Sequence, residues 1–179
     1  RIAFEKASGM TLLNTISHSH HGLVCGDGPR MTVLFWELIT RGNTWVHYCG
    51  TVKQSIHFGG KETYLRWCDG EGPIRELKGA TNLETHAWDK MGVVVSAMGG
   101  LSVSMYTGIA FDNNTAVITA NDNLNLSAIW CFCSSSEYNE EVRKMDQKLN
   151  VTNATLVKVP FDLERWKKVA ELKYPNGLP

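Results

Sequence analysis

The spacing of apolar and polar positions divides the chain into short strand-like runs first and helix-like runs last. Met31 to Leu38 is an apolar, strand-like stretch that breaks at Arg41-Gly42-Asn43 and resumes as Thr44 to Tyr48. Turn residues followed by β-branched and aromatic runs predict a hairpin-like pair. Tyr64 to Trp67 reads as a compact strand closed by the turn residues Asp69-Gly70-Glu71-Gly72-Pro73. Pro73 suits the first position of a short helix over 74–78. The β-branched run Val93 to Ser96 predicts a buried strand. Leu101 to Ile109 and Ala116 to Ala120 predict two more, separated by a turn at Phe111 to Asn114.

Later the period changes. Leu124 to Cys133 is helical by length, with Asp122-Asn123 placed to cap it, and Glu140 to Leu149 carries charge at helical spacing. Leu156 to Val159 reads as a short strand ending at Pro160. Asp162 is placed as the N-cap of a helix from Leu163 to Lys173, with Trp166, Val169 and Ala170 on one face. Before all of this, residues 1–21 form a lead-in: a short helix or strand, then a polar run. The expected class is α+β, with a mixed or antiparallel β-sheet core, short covering helices and a C-terminal helix.

Composition is that of an ordinary globular domain, 43% hydrophobic and 20% charged over 179 residues. Net charge is zero, which gives no electrostatic case for a nucleic-acid binder acting alone. The charge is unevenly placed, however. Ten Lys/Arg lie in residues 1–90, none between Met91 and Val142, and eight from 143 onward. Any surface that meets phosphates must come from the first half or the tail. Five cysteines without a CxxC pair suit a reduced, cytoplasmic setting, and neither a signal peptide nor an apolar run of membrane-spanning length is present. A start at Arg1 and a turn-like end at Leu178-Pro179 lead us to expect a piece of a longer protein.

Candidate chemistry is sparse. His18, His20 and His21 lack further ligands at metal-binding spacing, so no metal is expected. Phe58-Gly59-Gly60 lacks the third glycine of a dinucleotide fingerprint. The turn Cys25-Gly26-Asp27-Gly28-Pro29-Arg30 holds backbone N–H groups in fixed directions and presents Arg30. A plain surface turn accounts for the same residues, with Asp27 accepting backbone hydrogen bonds. Trp36, Trp45, Trp67, Trp88 and Trp130 are expected in the core more than in a base-stacking platform.

One series of motifs runs through the chain. Gly26, Asp27 and Arg30 form a Gly-Asp turn with a following arginine; Phe35-Trp36-Glu37, Trp45 with Tyr48, and Tyr64 with Trp67 come next. Asp69-Gly70 with Ile74-Arg75, then Trp88, Lys90 and Gly92, lead to an apolar helix running into serines and to Val159-Pro160. In this order the segments resemble the target recognition region of large N6-adenine DNA methyltransferases. These are the fused type IIG restriction–modification enzymes and related methyltransferases of BREX- or DISARM-like phage-defence systems. The tail, from Phe161 to Pro179, is similar to the segment that follows this region in the defence branch. The chain departs from the family turn at Cys25, Gly28 and Met31, and from its second strand at His47 and at Cys49-Gly50-Thr51.

The resemblance implies a lead-in at 1–21, a DNA target recognition domain at 22–160, and a C-terminal helix opening the next segment at 161–179. It also implies that this chain transfers no methyl group. The Asn/Asp-Pro-Pro-aromatic motif that cradles the flipped adenine is missing, as is the glycine-rich loop for the methyl donor. S-adenosylmethionine would belong to the parent enzyme and no cofactor to this chain. The implied partners are double-stranded DNA and a catalytic methyltransferase domain of the same chain, with no membrane involved.

For such a reader, Arg30 and Lys53 are the first candidates for phosphate or groove contacts, followed by Lys61, Arg66 and Arg75. Gln54, His57 and Asn43 are candidate base-edge readers. Each also fits a solvated surface side chain, and Arg66 a cation stacked on a structural aromatic. Two other functions stay open: a domain docking a partner subunit of a defence complex, and a hydrolase pairing His20 or His86 with Asp27 or Asp112.

Overall fold

A strand with apolar side chains on both faces must be covered twice, and the run at 93–96 organises the fold in that way. The computed structural model describes residues 10–179; the first part of the lead-in lies outside the described residues. In chain order the elements are β1 (Thr11–Leu12), β2 (Ser17–His21), α1 (Gly28–Met31), β3 (Thr32–Leu34), β4 (Trp45–Cys49) and β5 (Thr63–Arg66). Then come β6 (Met91–Ser96), β7 (Val103–Thr107), β8 (Ala110–Phe111), β9 (Thr115–Ala120), α2 (Leu126–Cys133), α3 (Ser136–Met145), β10 (Pro160–Phe161) and α4 (Leu163–Lys173). This is an α+β architecture. No helix among the described residues is long and apolar enough to cross a membrane.

The larger sheet is antiparallel, in the order β2-β9-β6-β7. Strand alternation sends Val93, Val95, Met105 and Ile118 to one face, against Ile129 and Phe132 of α2, Tyr138 of α3 and Trp166 of α4. The opposite face, with Val94, Tyr106 and Val117, packs on Cys49 and Phe111. Those two residues belong to the smaller sheet, in the order β3-β5-β4-β8, whose own core holds Met31, Tyr48, Leu65, Trp67 and Ile74.

Caps decide where the helices start. Asp122 accepts from Leu124 N ahead of α2, and Asp162 accepts from Arg165 N at 3.0 Å, starting α4 where the sequence places it. Ser135 caps α3, so that helix covers 136–145 and not the expected 140–149.

Three further expectations are corrected. The polar run at 17–21 is an edge strand of the larger sheet, paired with β9 from Ser17↔Ala120 to His21↔Ala116. The strand expected at 156–159 is displaced. Residues 153–157 wind into a 3-10 turn whose Leu156 carbonyl accepts from Tyr138 Oη, and the two-residue β10 pairs with β1. The third concerns the hairpin. β3 and β4 do not pair; each pairs antiparallel with β5, which lies between them. Phe35 N donates to Glu62 O, and the Glu37 carboxylate accepts from Leu34 N, winding 35–37 into a single turn. The chain then crosses from the Thr63 end of β5 to its Arg66 end before β4 begins.

The two sheets meet at Asp112. Its N–H donates to Cys49 O at 2.9 Å, its carboxylate accepts from Tyr48 Oη at 3.1 Å, and Asn114 N and Nδ2 donate to the other oxygen at 2.7 Å. Burial, and then the carboxylate itself, push the Tyr48 hydroxyl well above its usual range, so it stays a donor. Gly22 passes so close that a Cβ there would lie 2.0 Å from the Asp112 carbonyl oxygen. Gly22→Ala is therefore expected to cost about 1–3 kcal/mol of stability by overpacking this corner, read from urea denaturation midpoints.

Candidate nucleic-acid interface

One face of the smaller sheet covers its core; the other points away. Leu65 is fully buried, so its neighbours Tyr64 and Arg66 project outward, opposite His47 and Trp45 on β4. Tyr64 Oη and His47 Nε2 are hydrogen-bonded at 3.0 Å, and their rings lie 4.4 Å apart. Arg41, on the crossover between β3 and β4, reaches back over this pair. Its guanidinium lies 5.6 Å from the Tyr64 ring centroid and its Nε donates to Trp45 O at 3.2 Å. A cation over a tyrosine face is held by the ring quadrupole while its remaining N–H groups stay free to donate.

Burial, Arg41 and Lys61, in that order, hold the His47 imidazole below its ordinary value of 6.5. Of these two cations, Arg41 lies over the outward face. Lys61 sits where this sheet joins the larger one, with Nζ 5.3 Å from the Phe58 centroid and 3.3 Å from Thr107 Oγ1. Asn43 is exposed in the turn that leads into β4. Arg30 lies in α1, two residues before Thr32, whose strand partner is Leu65; it therefore shares the Arg66 end of the sheet. Arg30 is exposed, with only a loose 3.8 Å pairing to Asp27. The glycine turn is more than a surface bend. Asp27 caps the one-turn α1, with Pro29 in its first turn.

The other candidates fall elsewhere. Residues 52–59 run beside β7, with Ile56 N donating to Val103 O and Met105 N to His57 O. Lys53 and Gln54 are exposed on this far edge, away from the Arg66 end. His57 lies away from the outward face of the smaller sheet. Its ring stacks on Trp130 at 4.8 Å and is hydrogen-bonded to Tyr174 Oη at 3.0 Å, tying α2 to the end of α4. Arg75 is a brace, its guanidinium bonded to the Gly70 carbonyl and to Glu84 at 3.2 Å.

The acid–base pairs of the hydrolase reading are not assembled. His20 Nε2 is hydrogen-bonded to Thr119 Oγ1 at 2.8 Å, Asp112 is committed to Tyr48 and Asn114, and Asp27 to its own turn. Among the described residues no three His, Cys, Asp or Glu side chains gather as metal ligands. Several tail cations are taken up as well. Arg165 forms a two-pronged pair with Glu137, Lys144 pairs with Glu141, Lys167 with Glu164, and Arg143 donates to the Gly99 carbonyl.

Sequence reasoning passed over Arg41, His47 and Tyr64 as parts of the site. Arg41 served only as a strand break. An arginine beside a Gly-Asn turn, between two aromatic runs, was the signal for it.

No protein-family model and no curated protein sequence matches the chain. Solved structures match it in fold. The HsdS subunit from Thermoanaerobacter tengcongensis superposes with a TM-score of 0.58 at 10% identity, over 96% of this chain and 38% of that one. A chain from a structural study of complex assembly and conformational transition of the type I R-M system gives 0.56 at 12% identity, over 96% of this chain and 39% of that one. The chain thus spans about two fifths of the length of either neighbour.

Two outcomes follow from the geometry. A depressed His47 pKa means that the folded state resists protonation there, so this group takes stability away as pH falls through 6.5 and below. Nuclear magnetic resonance titration should find His47 below 6.5, and Arg41→Met should move it back upward. For His57→Ala, losing the hydrogen bond to the Tyr174 hydroxyl, which still accepts from Trp130 Nε1, and the stack on Trp130 should cost about 1–3 kcal/mol in denaturation.

Proposed function

We propose that the chain is a non-catalytic DNA sequence-recognition module of a site-specific N6-adenine DNA methyltransferase, serving restriction–modification or phage defence. The observation that carries this reading is a fold shared with the HsdS subunit over 96% of the chain, on which a sheet turns a basic, aromatic face outward. A catalytic domain, binding S-adenosylmethionine, would flip and methylate the adenine, while this module holds the duplex in register. The motif series favours the type IIG or phage-defence branch, with the catalytic domain on the same chain.

A second reading differs only in that linkage. One neighbour is a subunit and the other comes from a study of complex assembly, which favours a catalytic partner on a separate chain. Either arrangement works in the cytoplasm, and the five cysteines, all free thiols, suit its reducing conditions.

The division of labour explains a neutral chain. Phosphate contacts supply affinity but no sequence information, and each bidentate contact to a base edge is worth about 1–3 kcal/mol of discrimination. Arg41, Arg66, Arg30, Lys61 and Asn43 are the residues proposed to meet DNA. Arg41, pre-positioned by Tyr64 and the Trp45 carbonyl, is proposed as a groove reader. Lys53 and Gln54 would touch only a duplex long enough to reach the β7 edge.

The test is selection of duplexes from a random-sequence library, followed by salt titration of binding. Arg41→Ala and Arg66→Ala should each weaken binding roughly tenfold, within the about 1–3 kcal/mol per contact. A variant that loses a phosphate contact should also lower the salt slope by about one. A folded chain that enriches no duplex at low salt contradicts the reading.

A further inference from the structure

The crossover between β3 and β4 carries apolar side chains where solvent would ordinarily select polar ones. Phe35 is 54% exposed, Trp36 62% and Ile39 fully. Single exposed apolar residues are common on protein surfaces, but three within five positions form a patch. The turn beneath them is fixed, with Phe35 N on Glu62 O at 2.9 Å and Leu34 N on the Glu37 carboxylate at 2.7 Å. The Phe35 ring meets Trp36 edge to face, 4.9 Å between centroids at 82°. The indole is thus presented from a rigid base and backed by a second ring.

The surroundings favour a polyanion as occupant. The smaller sheet and its margins carry Arg30, Arg41, Lys61 and Arg66 against Asp27, Glu37 and Glu62, and Asp27 is already paired with Arg30. Glu37 is already tied to a backbone N–H. Arg41 leaves the same crossover two residues after Ile39 and lies over the outward face of the sheet.

We infer that Trp36, backed by Phe35, is an apolar wedge that enters between stacked base pairs of the bound duplex and unwinds it at that step. This rests on the DNA-recognition reading above. Opening a base step costs stacking energy, part of which an aromatic ring stacked on the exposed bases returns. Arg41, on the same crossover, would hold a phosphate beside the opened step.

The experiment uses the 179-residue chain and a closed circular plasmid carrying tandem copies of a duplex selected by the wild-type protein. The plasmid is relaxed by topoisomerase with protein bound, then stripped and its linking number measured. Wild type is expected to lower the linking number in proportion to sites occupied. Trp36→Ala should abolish that change while weakening binding only about tenfold, and Trp36→Phe should restore most of it. Circular dichroism of the variants confirms that the fold is kept. Binding without unwinding, or unwinding that survives Trp36→Ala, overturns the wedge and leaves DNA recognition intact. Concentration-dependent protection of Trp36 from oxidation without DNA assigns the patch to a second copy of the chain, and also overturns it. If wild type selects no duplex, both readings fail.

Discussion

The Asp112 carboxylate, held between Tyr48 of one sheet and Asn114 at the entry to the other, fixes how the two sheets sit on each other. β8 pairs with β4 and, one turn later, the chain enters β9 at the centre of the larger sheet. A bend of this kind would leave backbone groups unpaired. Here Cys49 O takes the Asp112 N–H, Asp112 O takes the Thr115 N–H, and Phe111 O takes that of Leu23. Phe111 and Cys49, both fully buried, fill the space between the sheets against Val94 and Val117. The smaller sheet is therefore a rigid outgrowth of the larger one, and its outward face has a set direction.

That rigidity gives the outward residues their meaning. A reading surface must hold side chains within a fraction of an ångström of their targets, which regular strands do better than loops. Tyr64, His47, Trp45 and Arg66 stand on paired strands, and Arg41 is drawn onto them by a ring and a carbonyl. The electrostatics agree with this at the level that matters. Whole-chain neutrality hides a local surplus of positive charge on the segment that builds the sheet, while tail cations are offset by carboxylates on α3 and α4.

What could be read in the sequence was what local physics decides. Val93 to Ser96 is a strand because its β-branched side chains suit a sheet buried on both faces, and α4 begins at Asp162 because a carboxylate caps free N–H groups. The pairing of β3 and β4 was misjudged for a non-local reason. The residues at 41–43 mark a turn, but the strand inserted between the two, β5, lies some twenty residues further on. The surroundings of His57 were not legible because nothing near it in sequence signals Trp130 and Tyr174, which come together only when α2 and α4 pack. Of the proposed DNA contacts, Arg30, Asn43, Lys61 and Arg66 lie on the smaller sheet or its margins, whereas Lys53 and Gln54 follow β7. Arg41 joined them only in three dimensions, since its value lies in the ring beneath it.

The proposed function requires one placement, that duplex DNA lies on the outward face of the smaller sheet. Ultraviolet cross-linking of the chain to a selected duplex, with the cross-linked peptides mapped by mass spectrometry, tests it directly. Cross-links are predicted within residues 30–45 and 61–67. Cross-links confined to α3 and α4, with none in those segments, would contradict it.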